Sequence, residues 1–93
     1  MGKVESFVCP GLHLWFNSSD HIPPHFHVVK TGEWEVRVYF LLCTEGHLEF
    51  QVKWPRSFVE PSRRERSCLL ENTLKYRSSL MEEWEAKVSV GGK

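Results

Sequence analysis

Between Leu12 and Trp54, apolar and polar residues trade places with a period of two. Leu12, Leu14 and Phe16 share one face of the first such stretch, with His13 and Trp15 on the other. Alternation of this kind marks a strand with one buried side. The turn formers Asn17-Ser18-Ser19-Asp20 end it. After the stiff pair Pro23-Pro24, a second strand is expected from about His25 to Lys30, closed by a tight turn at Thr31-Gly32. A third follows, with Trp34, Val36, Val38 and Phe40 set against Glu33, Glu35, Arg37 and Tyr39. Beyond Cys43-Thr44-Glu45-Gly46 a fourth sets Leu48, Phe50, Val52 and Trp54 against His47, Glu49, Gln51 and Lys53. One wet face and one core face on successive strands is the pattern of an antiparallel meander.

Pro55 stops the last strand, and the period then changes. Pro61 suits a first helical turn, and Ser62 with Glu65 three residues on matches a capping box. Leu70, Leu74, Met81, Trp84 and Val88 recur at helical spacing, with Leu69, Tyr76 and Leu80 widening the stripe. This predicts one amphipathic helix of about seven turns over 61–88, ending before Gly91-Gly92. A sheet and a helix with one apolar side each bury them against one another. The expectation is therefore α+β, a four-stranded antiparallel meander packed against one C-terminal helix (ββββα). It forms a single domain over 1–93, with 1–10 as a loose lead-in in which Phe7 and Val8 can pack, the sheet over 11–54 and the helix over 61–88.

Composition changes little in this picture. An apolar share of 41% suffices for a core of this size. Twelve basic residues balance twelve acidic ones, so nucleic acid or anionic lipid would need a local patch to bind. No apolar run approaches the roughly 18 residues that span a bilayer, and Met1 to Ser6 has no secretory h-region. Cys9, Cys43 and Cys68 are odd in number and far apart, which leads us to expect reduced thiols and a cytoplasmic setting.

The densest chemistry is the run Asp20-His21-Ile22-Pro23-Pro24-His25-Phe26-His27-Val28, with three of the five histidines in seven positions. On a strand His25 and His27 share a face, their Cα atoms about 6.5–7 Å apart. Two imidazoles so placed suit one metal ion, with His21 as a third ligand and Asp20 as another candidate. Zinc or another divalent ion is what they would take, although the sequence as a whole calls for no cofactor. Phe26 and Val28 would face the core and the histidines the wetter side. Hydrogen bonds from the two rings to turn backbone or to Glu35 would explain them equally, as would acid–base or ligand contact. His13 and His47 read as surface residues.

Ser18, Ser19, Ser57 and Ser62 sit in turn or cap contexts, and no GxSxG, P-loop or GxGxxG occurs. Arg63, Arg64 and Arg66 crowd the helix start and Glu82, Glu83 and Glu85 its end, an order that opposes the macrodipole. With Lys53 and Arg56 beside Trp54 these arginines would suit a phosphate or an acidic partner, or simply a solvated face. Trp15, opposite Leu14 and Phe16, is a candidate contact residue.

The stretch Leu14 to Val28, with its Ser-Asp-His-x-Pro-Pro-His-Phe-His-Val core, resembles the signature of a bacterial family catalogued as domain of unknown function 4160. Gly32-Glu33-Trp34-Glu35, Lys53-Trp54-Pro55 and Met81-Glu82-Glu83-Trp84-Glu85 are similar to the rest of its pattern, so the likeness covers roughly residues 11 to 88. The stretch from Phe40 to Phe50 is longer than in compact members, and 1–10 has no counterpart. The resemblance implies a small bacterial protein that pairs with another small protein in a toxin–antitoxin-like arrangement. It emphasises Asp20, His21, Pro23, Pro24, His25, Phe26, His27 and Trp84 without assigning roles. Three functions remain open: a binding or interaction module, a metal-dependent hydrolase or nuclease using His21, His25 and His27, and a nonspecific nucleic-acid binder. The balance leans away from an enzyme, and towards no membrane association.

Overall fold

The computed structural model describes residues 2–54 and 61–88. Expectations that fall on Pro55, Arg56, Ser57 and Gly91-Gly92, or on the side chain of Trp54, lie outside the described residues. The architecture is α+β: a five-stranded antiparallel meander followed by two helices. The strands are β1 (Gly2–Lys3), β2 (His13–Phe16), β3 (Phe26–Lys30), β4 (Trp34–Val38) and β5 (Phe50–Trp54), hydrogen-bonded in chain order. The helices are α1 (Arg63–Lys75) and α2 (Arg77–Lys87). No helix among the described residues is long and apolar enough to cross a membrane.

The alternating positions behave as their period dictates. Leu14, Phe16, Phe26, Val28, Trp34, Val36 and Val38 are buried, in one cluster with Leu69, Leu80, Trp84 and Val88 of the helical segment. Phe16 lies edge-on to Phe26, Phe40 and Trp84, joining three strand regions to α2 through one ring. At the β3–β4 turn the Glu33 N–H donates to the Lys30 carbonyl, and Gly32 takes φ +78°, which a side chain would strain.

Five expectations need correction. The lead-in is not loose. Gly2 and Lys3 pair with Phe16 and Trp15 as an edge strand, and Val4, Phe7 and Cys9 are buried, while Val8 is exposed. A carboxylate holds this segment down. Glu83 accepts from the Glu5 N–H, the Ser6 N–H and the Ser6 hydroxyl, and Lys87 Nζ donates to the Lys3 carbonyl. Burial alone would raise the Glu83 carboxyl, but hydrogen bonds from Lys87, Ser6 and Glu5 outweigh it and hold the group below the usual carboxylate range. An acid near a helix C-terminus, unfavourable to the dipole, thus has an anchoring task.

Second, the thiols are not all reduced. Cys9 and Cys68 form a disulfide that ties the lead-in to α1, and Cys43 alone is free and buried. A partner 59 positions away is invisible until the lead-in is known to pack on the helix. Third, the strands on either side of the β4–β5 connection are shorter than the alternation suggests. Tyr39 to Glu49 forms a long turn in which Thr44 and His47 make an isolated bridge, while Phe40, Cys43 and Leu48 stay buried.

Fourth, the helix is broken in two at Tyr76, with ψ +23°. Neither Gly nor Pro marks the place. The Tyr76 ring stacks on Phe7, another consequence of the lead-in folding back. The capping box at Ser62 and Glu65 forms as expected, and Glu65 also pairs with Lys30 at 2.8 Å, joining α1 to the end of β3.

Fifth, Trp84 and Val88 are buried as expected, but at three positions of the stripe the preceding residue is the buried one. Leu69, Thr73, Leu80 and Trp84 are its centre, whereas Leu70, Leu74 and Met81 are half-buried. Thr73 is fully buried with no hydrogen bond to its hydroxyl. In a denaturant titration Leu69→Ala should cost about 2–5 kcal/mol, as fully buried leucines do. Thr73→Val, which removes the unpaired hydroxyl at constant shape, should stabilise by about 1 kcal/mol. A loss on Thr73→Val would mean that this hydroxyl has a partner.

Candidate metal centre

The sheet face away from the helices carries His13, Trp15, His27, Glu35, Arg37, Gln51 and Lys53. Register places Trp15 of β2 and Arg37 of β4 directly across from His27. The histidines were expected on a wet face; instead His25 is 5% exposed and His27 2% exposed. Trp15 explains the difference. It stacks on His27, ring centroids 5.2 Å apart and planes 17° from parallel. Half-buried, it covers the imidazole from one side.

Asp20 closes the remaining side. Its carboxylate accepts from the Asn17 N–H at 3.2 Å, and its own N–H donates to the Asn17 carbonyl, so the Asn17–Asp20 turn fixes it. From there the two carboxylate oxygens lie 2.9 and 3.0 Å from His27 Nε2, and Oδ2 lies 3.4 Å from His25 Nε2. Among the described residues, Asp20, His25 and His27 bring one ligand atom each within 4.8 Å of one another. His21 stays exposed and outside this group. The residue that joins His25 and His27 in this group is Asp20, the carboxylate considered beside His21.

The partners fix the tautomers. His25 Nδ1 lies 2.8 Å from the Pro23 carbonyl, which can only accept, so Nδ1 carries the proton. The Nε2 of neutral His25 then holds a lone pair. It is buried, it faces the Asp20 carboxylate, and it finds no hydrogen bond. His27 Nδ1 points at Glu35 Oε2, 3.5 Å away and without a hydrogen bond, and Lys53 Nζ lies 3.1 Å from the same oxygen. Burial pushes the His25 imidazole below its ordinary value. The Pro23 and Asp20 contacts oppose that, and His27 and Arg37 add to it.

A small cleft of about 220 Å³ opens beside the group, lined by Asp20, His21, Ile22, Pro23, His25, Arg37 and Tyr39. Rings crowd His25 from behind: Tyr39 at 5.2 Å, His27 at 5.2 Å and Trp84 of α2 at 5.7 Å. Glu35, Arg37 and Tyr39 gain their places here from strand register. Their shared parity with the histidines was legible in the chain, but their distance from His27 across the sheet was not.

Arg63 and Arg66 line a cleft with Gly46, His47 and Ser67, while Arg64 lines another with Cys9, Pro10 and Cys68. No family model, curated protein or solved structure matches this chain.

The lowered His25 value carries a pH prediction for metal-free protein. The folded ring gives up its proton more readily than the unfolded one, whose value is 6.5. The unfolded chain therefore binds more protons just below that pH, and stability falls as pH drops through it. Denaturant titrations in chelator should show stability declining from pH 7.5 to 5.5, with a flatter profile for His25→Gln. An equal slope in the variant would assign the decline to other groups.

Proposed function

We propose that this protein is a divalent-metal-binding domain in which Asp20, His25 and His27 hold one zinc-like ion, with an open position towards the cleft. The observation that carries the reading is the buried His25 Nε2, which faces a carboxylate oxygen at 3.4 Å without a hydrogen bond. A lone pair and an anion so placed repel each other, and a cation between them turns that repulsion into two bonds. Hydrogen bonding alone accounts for His27 Nε2, which has Asp20. It leaves His25 Nε2 unexplained.

The dimensions support the same reading. Zinc–nitrogen and zinc–oxygen bonds of about 2.0–2.2 Å in a tetrahedron separate ligand atoms by roughly 3.3–3.5 Å. The Asp20–His25 pair already stands at 3.4 Å, and the Asp20–His27 pair, at 2.9 Å, needs to open by about half an ångström. Each ring also has an acceptor for its other nitrogen, the Pro23 carbonyl and the Glu35 carboxylate, which is how metal-bound histidines are oriented. Three protein ligands of this composition leave a coordination position for water or ligand.

Zinc added to metal-free protein at neutral pH should bind one to one with a dissociation constant below about a micromolar, and should raise the melting temperature. At a free concentration of a hundred dissociation constants the gain is about 2.7 kcal/mol. Binding should weaken below about pH 6 as imidazole protonates, and Asp20→Asn, His25→Gln or His27→Gln should each abolish it. Absence of stoichiometric binding, or tight binding that survives His25→Gln, would refute the assignment.

A second reading, an interaction module, has its own observation. Leu41 and Leu42, adjacent in the long β4–β5 turn, are 42% and 53% exposed. This fits the paired, toxin–antitoxin-like habit implied by the likeness of Leu14–Val28 to the domain-of-unknown-function-4160 family, which belongs to the same proposal. A small protein captured by the wild type from the native host should be lost by the Leu41→Ser, Leu42→Ser double variant, while zinc binding persists. Capture by both would remove this loop from the interface.

A further inference from the structure

We infer that the cleft in front of the ion is a subsite for a small tetrahedral oxyanion, a phosphate or the terminal phosphoryl group of an ester, gripped by Arg37 and the ion's open position. The inference rests on the metal reading above. Arg37 lies directly across from His27 and lines the cleft with Asp20, His25 and Tyr39. Among the described residues no carboxylate pairs with it, and its one hydrogen bond reaches Gln51 Oε1 at a long 3.4 Å. The Tyr39 hydroxyl donates to the same Gln51 oxygen at 3.1 Å, so one amide holds both groups at the cleft wall. A guanidinium with most of its donors unspent, beside the open position of the proposed ion, suits an oxyanion.

Charge makes the anion depend on the metal. Of the cleft's lining residues Asp20 contributes one negative charge and Arg37 one positive, and the neighbouring Glu35–Lys53 pair cancels itself, so the metal-free site is neutral. A divalent ion leaves an excess of two positive charges, which a phosphate dianion matches. Size sets the class of ligand. About 220 Å³ lies below the roughly 300 Å³ at which pockets begin to enclose drug-sized molecules, so the cleft takes one phosphoryl group and leaves the rest of an ester outside. His21, exposed at the rim, is placed to meet that remainder.

The test uses the full chain loaded with one equivalent of cobalt(II), its binding read from visible absorption. Phosphorus NMR line broadening of inorganic phosphate and of phenyl phosphate then reports anions close to the ion. Broadening should saturate with the cobalt protein and be absent with metal-free protein. Arg37→Gln should weaken anion binding by about tenfold or more, the worth of one charge-assisted contact, without weakening cobalt binding. Arg37→Lys should fall between. Saturation by phenyl phosphate alone assigns the site to esters, and saturation by inorganic phosphate alone assigns it to the free anion; either supports the inference. If cobalt binds and neither anion saturates, or if Arg37→Gln binds them unchanged, the anion subsite is overturned while the metal reading stands. If cobalt itself does not bind, the metal reading falls and takes the subsite with it.

Discussion

Two buried imidazoles, His27 on the sheet face away from the core and His25 just before β3 against Trp84 of α2, make the heaviest demand on this chain. Polar rings lose water there and must find partners, since an unpaired buried polar atom costs about 1–3 kcal/mol. The partners come from every direction: Asp20 from a turn, Glu35 from β4, the Pro23 carbonyl from the segment before β3 and Trp15 as a lid from β2. Strand register brings them together. A slip of one residue in β3 would send His27 to the core and Phe26 to the surface, so core packing and site assembly select the same pairing. Trp84 links the two faces, touching Phe16 in the core and His25 at the site.

A similar economy governs the lead-in. Two residues of strand would not hold an edge alone, and β1 is only Gly2–Lys3. Its position depends on Glu83, Lys87 and the Cys9–Cys68 disulfide, all contributed by the helices. The helices in turn are shaped by it, since Tyr76, where they divide, stacks on Phe7. The acidic end of the helical segment, a puzzle when judged against the macrodipole alone, makes sense once Glu83 is seen to cap backbone N–H groups 77 and 78 positions away.

What was legible in the chain follows from this division. Period-two alternation located β2 to β5, because a half-buried strand must alternate. The capping box located the start of α1, because its bonds are local. The lead-in strand, the disulfide and the break at Tyr76 stayed hidden because each depends on a contact between chain ends. Thr73 replaced Leu74 at the centre of the buried stripe for a related reason. Hydropathy ranks side chains singly, whereas the angle at which α1 meets the sheet decides which of two neighbours is enclosed. At the site, the pairing of His25 with His27 was readable from spacing. The choice of Asp20 over His21 was not, because it turns on a hydrogen bond from Asn17 that aims one side chain inward and leaves the next outside.

The chemistry of the group follows from the unequal treatment of its two rings. His27 faces carboxylates on both sides, Asp20 at 2.9 Å from Nε2 and Glu35 at 3.5 Å from Nδ1, and Asp20 already gives its Nε2 a hydrogen-bond partner. His25 has a carbonyl on Nδ1 and no hydrogen bond on Nε2, and burial disfavours its charged form. A proton satisfies the first ring but not the second. In the proposed site a divalent cation would satisfy both, because it would neutralise Asp20 while leaving each imidazole uncharged. Protonation and metal binding are thus competing answers to the same buried electrostatic problem. In the proposed metal site, a neutral His25 would favour the ion over the proton at neutral pH.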